Sequence, residues 1–205
     1  MKPIFLIITT LVLSGCSVLG IRTSEEPGFT LLREQDDIQI RQYQSLLVAE
    51  TEVTADYQES SSIAFRRLAG YIFGKNTRNE KMAMTAPVVQ QQESEKIAMT
   101  APVLQQKAGE KWIMAFVLPA KYTMETLPKP LDESVRIRQI PAKKVAAIRY
   151  TGRLNENNVQ SRSTLLLNWL HKEGYRVLSD PRSAGYDPPW TVPFLRRNEV
   201  HIDVE

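Results

Sequence analysis

The order of hydrophobic patterns in this chain predicts an α+β fold, in which one curved antiparallel sheet or distorted barrel carries two helices on its outside. Two observations lead to this prediction. The chain runs through strands, a helix and more strands, and then repeats that order, which indicates two halves related by a pseudo-two-fold. In addition, twelve residues occur twice at an offset of fifteen, with ten identities, and each copy has the two-residue period of a half-buried strand.

The first half begins with strand patterns and continues into a helix. Residues 29–53 alternate between apolar and polar side chains, which predicts two strands or one bent strand. The period then changes, and apolar residues at helical spacing followed by Gly74 predict a helix over about residues 56–73. A further strand pattern at residues 112–118 ends at Pro119, because proline cannot donate a hydrogen bond to a sheet.

The duplicated segment lies between that helix and that last strand. EKMAMTAPVVQQ occupies residues 80–91, and EKIAMTAPVLQQ occupies residues 95–106. One pair at so short an offset is too small for a solenoid, in which each unit packs against several neighbours. We therefore interpret the copies as similar strands of a duplicated hairpin. Their methionines either fill the core, which is the usual role of methionine, or line a site for a flat apolar ligand.

The second half repeats the order of elements without residue-level identity to the first. Residues 135–138 and 144–150 have strand patterns on either side of Pro141. A helix is predicted over about residues 155–172, and Gly174 closes it.

The N-terminus has the composition of an export signal. Lys2 precedes a short apolar run that cannot span a bilayer as a stable helix. The LSGC sequence that ends at Cys16 resembles the bacterial lipoprotein box, and Cys16 is the only cysteine of the chain. We therefore expect a lipoprotein signal peptide at residues 1–15, a lipidated Cys16 with a linker over residues 16–28, and one domain over residues 29–205.

Lipidation of Cys16 would attach the protein durably to a membrane, because several acyl chains bind far more firmly than one. The resemblance to lipoproteins of double-membraned bacteria, together with Ser17 in place of an aspartate, implies the outer membrane and a body that faces the periplasm. The alternative is a secretory signal peptide whose cysteine is incidental.

The composition is that of an ordinary globular protein. Of 205 residues, 42% are apolar and 24% are charged, which fits a single domain. Without Lys2 the chain has 25 basic and 23 acidic residues, a net charge of +2. Because no basic run or basic-aromatic stripe occurs, we expect no nucleic-acid partner. We also expect a monomer.

Three motifs give the chain its resemblance to the SOUL haem-binding proteins. They are AFRRLAGYIFG at residues 64–74, KIAMTAPV at residues 96–103 with a near copy at residues 81–88, and YDPPWTVPFLRRNEV at residues 186–200. The resemblance covers almost everything from Phe29 to the C-terminus. It implies a distorted β-barrel with two flanking helices, related to the effector-binding domains of gyrase-inhibitor-like proteins. It also implies non-covalent binding of haem or another tetrapyrrole in an apolar groove.

For such a ligand we expect contacts from the first helix, from both repeats and from the C-terminal motif. The predicted contacts are Phe65, Leu68, Tyr71, Ile72, Met84, Met99 and Arg196. A porphyrin between them would meet polarizable sulfur and an aromatic ring, while the arginine would pair with a propionate. The alternative is that the methionines belong to the core and the arginine to a solvated sheet edge.

We expect neither a protein metal site nor covalently attached haem, since no Cys-x-x-Cys-His sequence occurs. The two histidines have simpler roles. His171 falls in the last turn of the second helix, where it complements the helix carbonyls, and His201 is expected to be exposed or half-buried. Trp190, which follows two prolines, is expected to close one end of the barrel.

The sequence favours binding over catalysis. It contains no nucleophile elbow, phosphate-binding loop or His-Glu metal motif. Two other functions remain as alternatives: an interaction or structural lipoprotein of the envelope that holds another hydrophobic molecule, and a hydrolase. The hydrolase would need a buried glutamate beside a tyrosine, and Glu199 is the nearest candidate.

Overall fold

The structure, a computed structural model, describes residues 23–77 and 94–205. Within these ranges the chain forms strands, two long helices and one 3-10 turn. The elements are β1 (Phe29–Gln35), β2 (Ile38–Tyr43), β3 (Leu46–Val53), α1 (Tyr57–Ile72), β4 (Asn76–Thr77), β5 (Val103–Ala108), β6 (Lys111–Val117), β7 (Lys129–Pro130), β8 (Val135–Ile140), β9 (Lys143–Tyr150), α2 (Glu156–Lys172), β10 (Arg182–Gly185), the turn Pro193–Leu195, and β11 (Asn198–Val204).

Nine of these strands form one curled antiparallel sheet in the order β1-β2-β9-β11-β10-β5-β6-β3-β8, a half-barrel with β1 and β8 at its edges. Strands β4 and β7 pair separately. Apart from the edge strand β1, the order is symmetric about its centre. Listed from the edge inward, one half is β2-β9-β11-β10 and the other half is β8-β3-β6-β5. The two halves meet where β10 pairs with β5 and Ala184 lies opposite Leu104. This arrangement confirms the predicted α+β fold with two similar halves.

Both helices pack on the same type of position in the two halves, α1 on β3 and β6, and α2 on β9 and β11. Each helix begins at a polar cap. Asp56 Oδ1 accepts a hydrogen bond from the Glu59 N–H at 2.8 Å, and Asn155 Oδ1 accepts one from the Asn158 N–H at 2.9 Å. The predicted helices therefore agree with the observed ones to within a residue.

Side chains of alternating parity separate a helix-covered face of the sheet from a helix-free face. On the helix-covered face, Leu68 and Ile72 of α1 pack with Phe116 of β6, and Leu166 of α2 packs with Ile202 of β11. The neighbouring positions point to the helix-free face, where a smaller apolar cluster lies among polar groups. That cluster contains Val48, Ala115, Val117 and Ile140, with Leu46 and Leu104 packed against it.

Residues 29–53 form three strands, so the expectation of two strands or one bent strand is wrong. Asp36 adopts a φ of 52° in the turn between β1 and β2, a conformation that aspartate tolerates better than most residues. The second turn, at Gln44 and Ser45, redirects the chain so that β3 leaves β2 and joins the other half of the sheet.

The second copy of the duplicated segment is a strand only from Val103 onward. The expectation that the whole copy forms a strand is therefore wrong. Before β5 the backbone donates elsewhere, from Ile97 to Ile72 O at 2.8 Å, and from Ala101 to Glu25 O at 2.9 Å. Pro102 has no N–H to give to a sheet. The first copy, at residues 80–91, lies outside the described residues.

Residues 23–28, predicted as part of a linker, lie against the domain. Glu25 forms a bridge with Thr100, and Glu26 pairs with Arg197. The predicted signal peptide and Cys16 lie outside the described residues. In residues 23–77 and 94–205, no helix has the length and apolar character that crossing a membrane requires.

Candidate functional site

A cleft of about 760 Å³ opens between the N-terminal segment, the turn that joins β2 to β3, and the loop that follows β6. This volume lies in the range of roughly 300–1,000 Å³ that small-molecule and cofactor sites have. Its apolar walls come from Phe29, Leu46, Leu118, Met124 and the ring of Tyr122. The cleft can therefore accept a ligand with a large apolar surface.

The loop after β6 places Tyr122 and Met124 at the cleft. Pro119 ends the strand, and its carbonyl accepts a hydrogen bond from the Tyr122 N–H at 3.1 Å. Leu127 is buried in the cluster beneath α1 and fixes the far end of the loop. Met124, in contrast, is 47% exposed and lines the cleft.

The described residues that line the cleft include three glutamates and no lysine, arginine or histidine. Glu25 Oε1 accepts a hydrogen bond from the Ala120 N–H at 3.0 Å, and Glu26 is paired with Arg197 at 3.0 Å. Carboxylates of a ligand would be repelled inside such a cleft. The exposed cation Lys121 is next to the lining in the chain, and its Nζ lies 4.8 Å from the centre of the Tyr122 ring.

Tyr122 joins the cleft to the end of α1. Its hydroxyl donates a hydrogen bond to Glu95 Oε1 at 2.6 Å, and Glu95 is held in turn by Asn76 through the backbone. Burial and this hydrogen bond to Glu95 raise the pKa of Tyr122 to about 12. The phenol therefore stays protonated at neutral pH and keeps Glu95 in place.

Five of the seven predicted contacts come together in the structure. Leu68, Tyr71 and Ile72 have at most 1% exposure in the cluster beneath α1, and Met99 packs against them. Phe65 lies at the edge of this cluster, with its ring 5.3 Å from that of Phe116. They form a packed core instead of an open groove, and their contact with a ligand stays a prediction.

The other two predicted contacts lie elsewhere. The Arg196 guanidinium donates to the carbonyls of Thr191 and Pro189, so it stabilises its own loop and does not line the cleft. Met84 lies outside the described residues.

No sequence pattern marks Tyr122, Met124 or the N-terminal segment as parts of a site. They belong to stretches without helix or strand periodicity, and none falls in a recognisable motif. The one available signal was a pair of large side chains in the short polar stretch after Pro119.

A second group of functional interest surrounds Glu199 on the helix-free face. Its carboxylate is fully buried and pairs with Arg41 through two hydrogen bonds, of 2.7 and 3.0 Å. It also accepts from the Tyr186 hydroxyl at 2.8 Å, from His201 Nε2 at 2.7 Å and from Arg197 Nε at 3.0 Å. We call these five residues the Glu199 cluster.

The Glu199 cluster holds its carboxylate in the ionised form. Burial alone would raise the pKa of Glu199, but the hydrogen bonds from His201 and Arg41 and the charge of Arg41 hold that pKa well below its ordinary value. Burial lowers the pKa of His201, which is therefore a neutral donor at pH 7. The charge that stabilises Glu199 thus comes from its arginines.

Two expectations about aromatic and imidazole side chains are wrong. His201 is 4% exposed instead of exposed or half-buried, because its imidazole pairs with a buried carboxylate that periodicity does not reveal. Trp190 is 64% exposed and does not close the end of the sheet, since its neighbour Thr191 takes the buried position. His171 lies in the last turn of α2, as expected.

Solved structures place the chain in a class defined by this helix-flanked half-barrel. It is similar to the C-terminal domain of EcmrR, with a TM-score of 0.57 and 12% identity over 82% of this chain and 96% of that one. It is also similar to a hydrolase from Listeria innocua, with a TM-score of 0.54 and 12% identity over 85% and 94% of the two chains. At these identities the similarity concerns the fold alone.

Sequence comparison identifies the family within that class. A family model described as SOUL heme-binding protein matches residues 24–203. Heme-binding protein 1 of Xenopus laevis is 26% identical over 193 residues, covering 90% of this chain and 93% of that protein, and its Xenopus tropicalis counterpart is 27% identical over 161 residues, covering 78% and 80%. The chain belongs to the SOUL heme-binding protein family, and this membership supports non-covalent haem binding.

Proposed function

We propose that this protein binds haem or a related tetrapyrrole without covalent attachment, and that the ligand lies in the cleft beside Tyr122 and Met124. The observation that carries the proposal is the family match over residues 24–203, on a structure with a cleft of about 760 Å³ among those same residues. Apolar walls of this kind favour burial of a macrocycle.

The cleft also supplies side chains of the kinds that haem proteins use. Thioether sulfur and phenol oxygen are both known ligands of haem iron, and Met124 and Tyr122 carry them here. His201 is not available, because it is buried against Glu199. Met124 is therefore the open candidate, because the Tyr122 hydroxyl is bonded to Glu95 and stays protonated at neutral pH.

The predicted contacts from α1, together with Met99, lie behind the cleft. Leu118 lines the cleft and belongs to the same cluster as Leu68, Tyr71 and Ile72. Met99 precedes Thr100, which lines the cleft as well. Substitution of Met99 by alanine should therefore weaken binding less than a substitution inside the cleft.

A hemin titration of the chain from Ser17 onward tests the proposal. Because hemin adheres to apolar surfaces in general, a non-binding protein is titrated in parallel. We expect a Soret band that saturates at one hemin per chain. Linear uptake equal to that of the control protein would remove haem as the ligand and favour another hydrophobic molecule.

We also propose that the protein is not an enzyme. A hydrolase on this fold would need a glutamate beside a tyrosine, and Glu199 with Tyr186 meets that description. Its carboxylate is however paired with Arg41 and Arg197 and has no exposed surface. A general base must be able to reach the substrate proton that it removes, and this carboxylate is buried. A general acid must itself carry a proton to donate, and this carboxylate is ionised.

We propose finally that the protein is a lipoprotein of the outer membrane whose body faces the periplasm. The charged start, the short apolar run and the LSGC sequence ending at Cys16 support this location. Cell fractionation should recover the protein with outer membranes. The Cys16→Ala variant should leave the membrane fraction, and recovery of this variant in membranes at the wild-type level would contradict the anchor.

A further inference from the structure

A second pocket lies on the helix-free face, across the junction between the two halves of the sheet. Its inner part is a small pit of about 30 Å³, whose mostly apolar lining includes Leu46, Val117, Val145 and Pro27 of the N-terminal segment, and which Lys143, Arg182 and His201 also line. Its outer part is a mouth of about 240 Å³. The two parts share Leu104, Ile140, Lys143 and Arg182 in their linings, so they are adjacent.

Three cations surround this mouth. The side chain of Arg182 is 9% exposed, that of Lys143 is 27% exposed, and that of Arg138 is 51% exposed. They stand above an apolar floor of Leu104, Ala115, Ile140 and Ile113. The pocket therefore combines an apolar lining with two cations, Lys143 and Arg182, that line both of its parts.

Only two carboxylates face these three cations within the described lining. Glu50 forms an ion pair with Arg138, whose Nε donates to the two carboxylate oxygens at 2.9 and 3.0 Å. Asp203 is shared, since its Oδ2 lies 2.6 Å from Lys143 Nζ and its Oδ1 lies 2.6 Å from Arg182 Nη2. One positive charge is left without a carboxylate of its own.

The surplus charge has a physical consequence for Lys143. Burial, together with repulsion from Arg182 and Arg138, lowers the pKa of Lys143 in spite of its bond to Asp203. An anion in the mouth would relieve this repulsion, and partly buried charge pairs are screened less than exposed ones.

We propose that this pocket binds a small amphipathic anion, with a single acidic head in the mouth beside Lys143 and Arg182 and an apolar body lying over Leu104 and Ile140 toward the pit. The site is distinct from the cleft beside Met124, which carries three glutamates and no cation among its described lining residues. A tetrapyrrole does not fit a mouth and pit that together hold about 270 Å³, the sum of 240 and 30 Å³.

The test is calorimetric titration of the full chain with octanoate, with octanol as the uncharged match. Octanoate should bind with one site per chain, and octanol should bind at least about tenfold more weakly, since a charge-assisted hydrogen bond contributes about 1.5–3 kcal/mol. Lys143→Met should weaken octanoate binding by about tenfold or more for the same reason.

Two further variants separate a binding site from a structural ion cluster. Arg136→Gln removes a cation from the same strand as Arg138, outside the lining of this pocket, and should leave octanoate affinity unchanged. Asp203→Asn removes the carboxylate that competes with the ligand, and should raise octanoate affinity about threefold or more. Circular dichroism and thermal melting check that each variant is folded.

Equal binding of octanoate and octanol, or wild-type octanoate affinity in Lys143→Met, would overturn the proposal. A fall in octanoate affinity in folded Asp203→Asn would do the same. Hemin affinity should be unchanged in Lys143→Met, because Lys143 does not line the cleft in which haem is proposed to bind, so the octanoate and hemin results can fail separately.

Discussion

Single residues on the helix-free face decide what this fold can do chemically. Glu199 occupies a buried strand position at which an unpaired carboxylate would be very costly. Arg41 and Arg197 supply the compensating charge, and Tyr186 and His201 saturate the remaining acceptor positions. The cluster therefore stabilises the sheet and leaves the carboxylate unable to act on a ligand.

Glu199→Gln tests this structural role. The substitution leaves the buried Arg41 without its carboxylate, so we expect a loss of about 3–5 kcal/mol in the free energy of unfolding at pH 7. Urea titration measures the loss. The exposed Glu133→Gln is the matched control and should change stability by less than about 0.5 kcal/mol. A Glu199→Gln protein as stable as this control would show that the cluster contributes nothing.

The same carboxylate makes stability depend on pH. The pKa of Glu199 is depressed in the folded protein, whereas the ordinary pKa of a glutamate is 4.5. Near pH 4.5 and below, the unfolded chain therefore binds more protons at this residue than the folded protein does. Its contribution is therefore complete above that pH and is lost as the pH falls toward the folded pKa. Acid unfolding of Glu199→Gln should be less steep than that of the parent below pH 4.5, and parallel profiles would contradict the depressed pKa.

At the scale of elements, the N-terminal segment is part of the domain. Residues 23–28 cross the helix-free face, where Glu25 bonds to the backbone at Ala101 and Ala120 and Glu26 pairs with Arg197. Pro27 lies between the cleft and the second pocket, since it lines both. The segment that would lead to the lipid anchor thus contributes to both sites.

Removal of this segment tests its role. A chain that begins at Phe29 should lose about 1–3 kcal/mol of stability relative to one that begins at Thr23, because Arg197 loses a charged partner. Denaturant unfolding of the two chains gives the difference. Equal stabilities of the two chains would show that residues 23–28 do not stabilise the domain and act only as a linker.

Elements with a strong period were predictable from the sequence, and the sites were not. Asp56, Gly74 and Asn155 mark helix ends through local hydrogen bonds, which depend on near neighbours alone. Among the partners of Glu199, Arg41 lies in β2 and Tyr186 directly follows β10, both distant from β11 in the chain or joined to it only by a long connection, and Met124 lies in a loop without a period. Such contacts arise from the way the strands pair, and no local pattern encodes them.

At the scale of the whole molecule, the two halves share a topology and differ on their helix-free faces. The half that contains β9 and β11 presents the buried Glu199 cluster, while the half that contains β3 and β6 presents apolar side chains such as Val48 and Val117. The cleft opens where this apolar half meets the N-terminal segment. The fold thus offers an apolar surface for a macrocycle at one place and fixed charges at another.

The central claim, that haem binds in the cleft, is tested most directly by the hemin affinity of two matched variants. Met124→Glu puts a charge into the cleft wall, and Leu131→Glu makes the same kind of change at a residue that is also exposed but lies outside the cleft. We expect Met124→Glu to weaken hemin binding by at least about tenfold, because the macrocycle would have to desolvate a carboxylate, and Leu131→Glu to bind as the parent does. Unchanged hemin affinity in a folded Met124→Glu protein would contradict the account and place the ligand elsewhere on the molecule.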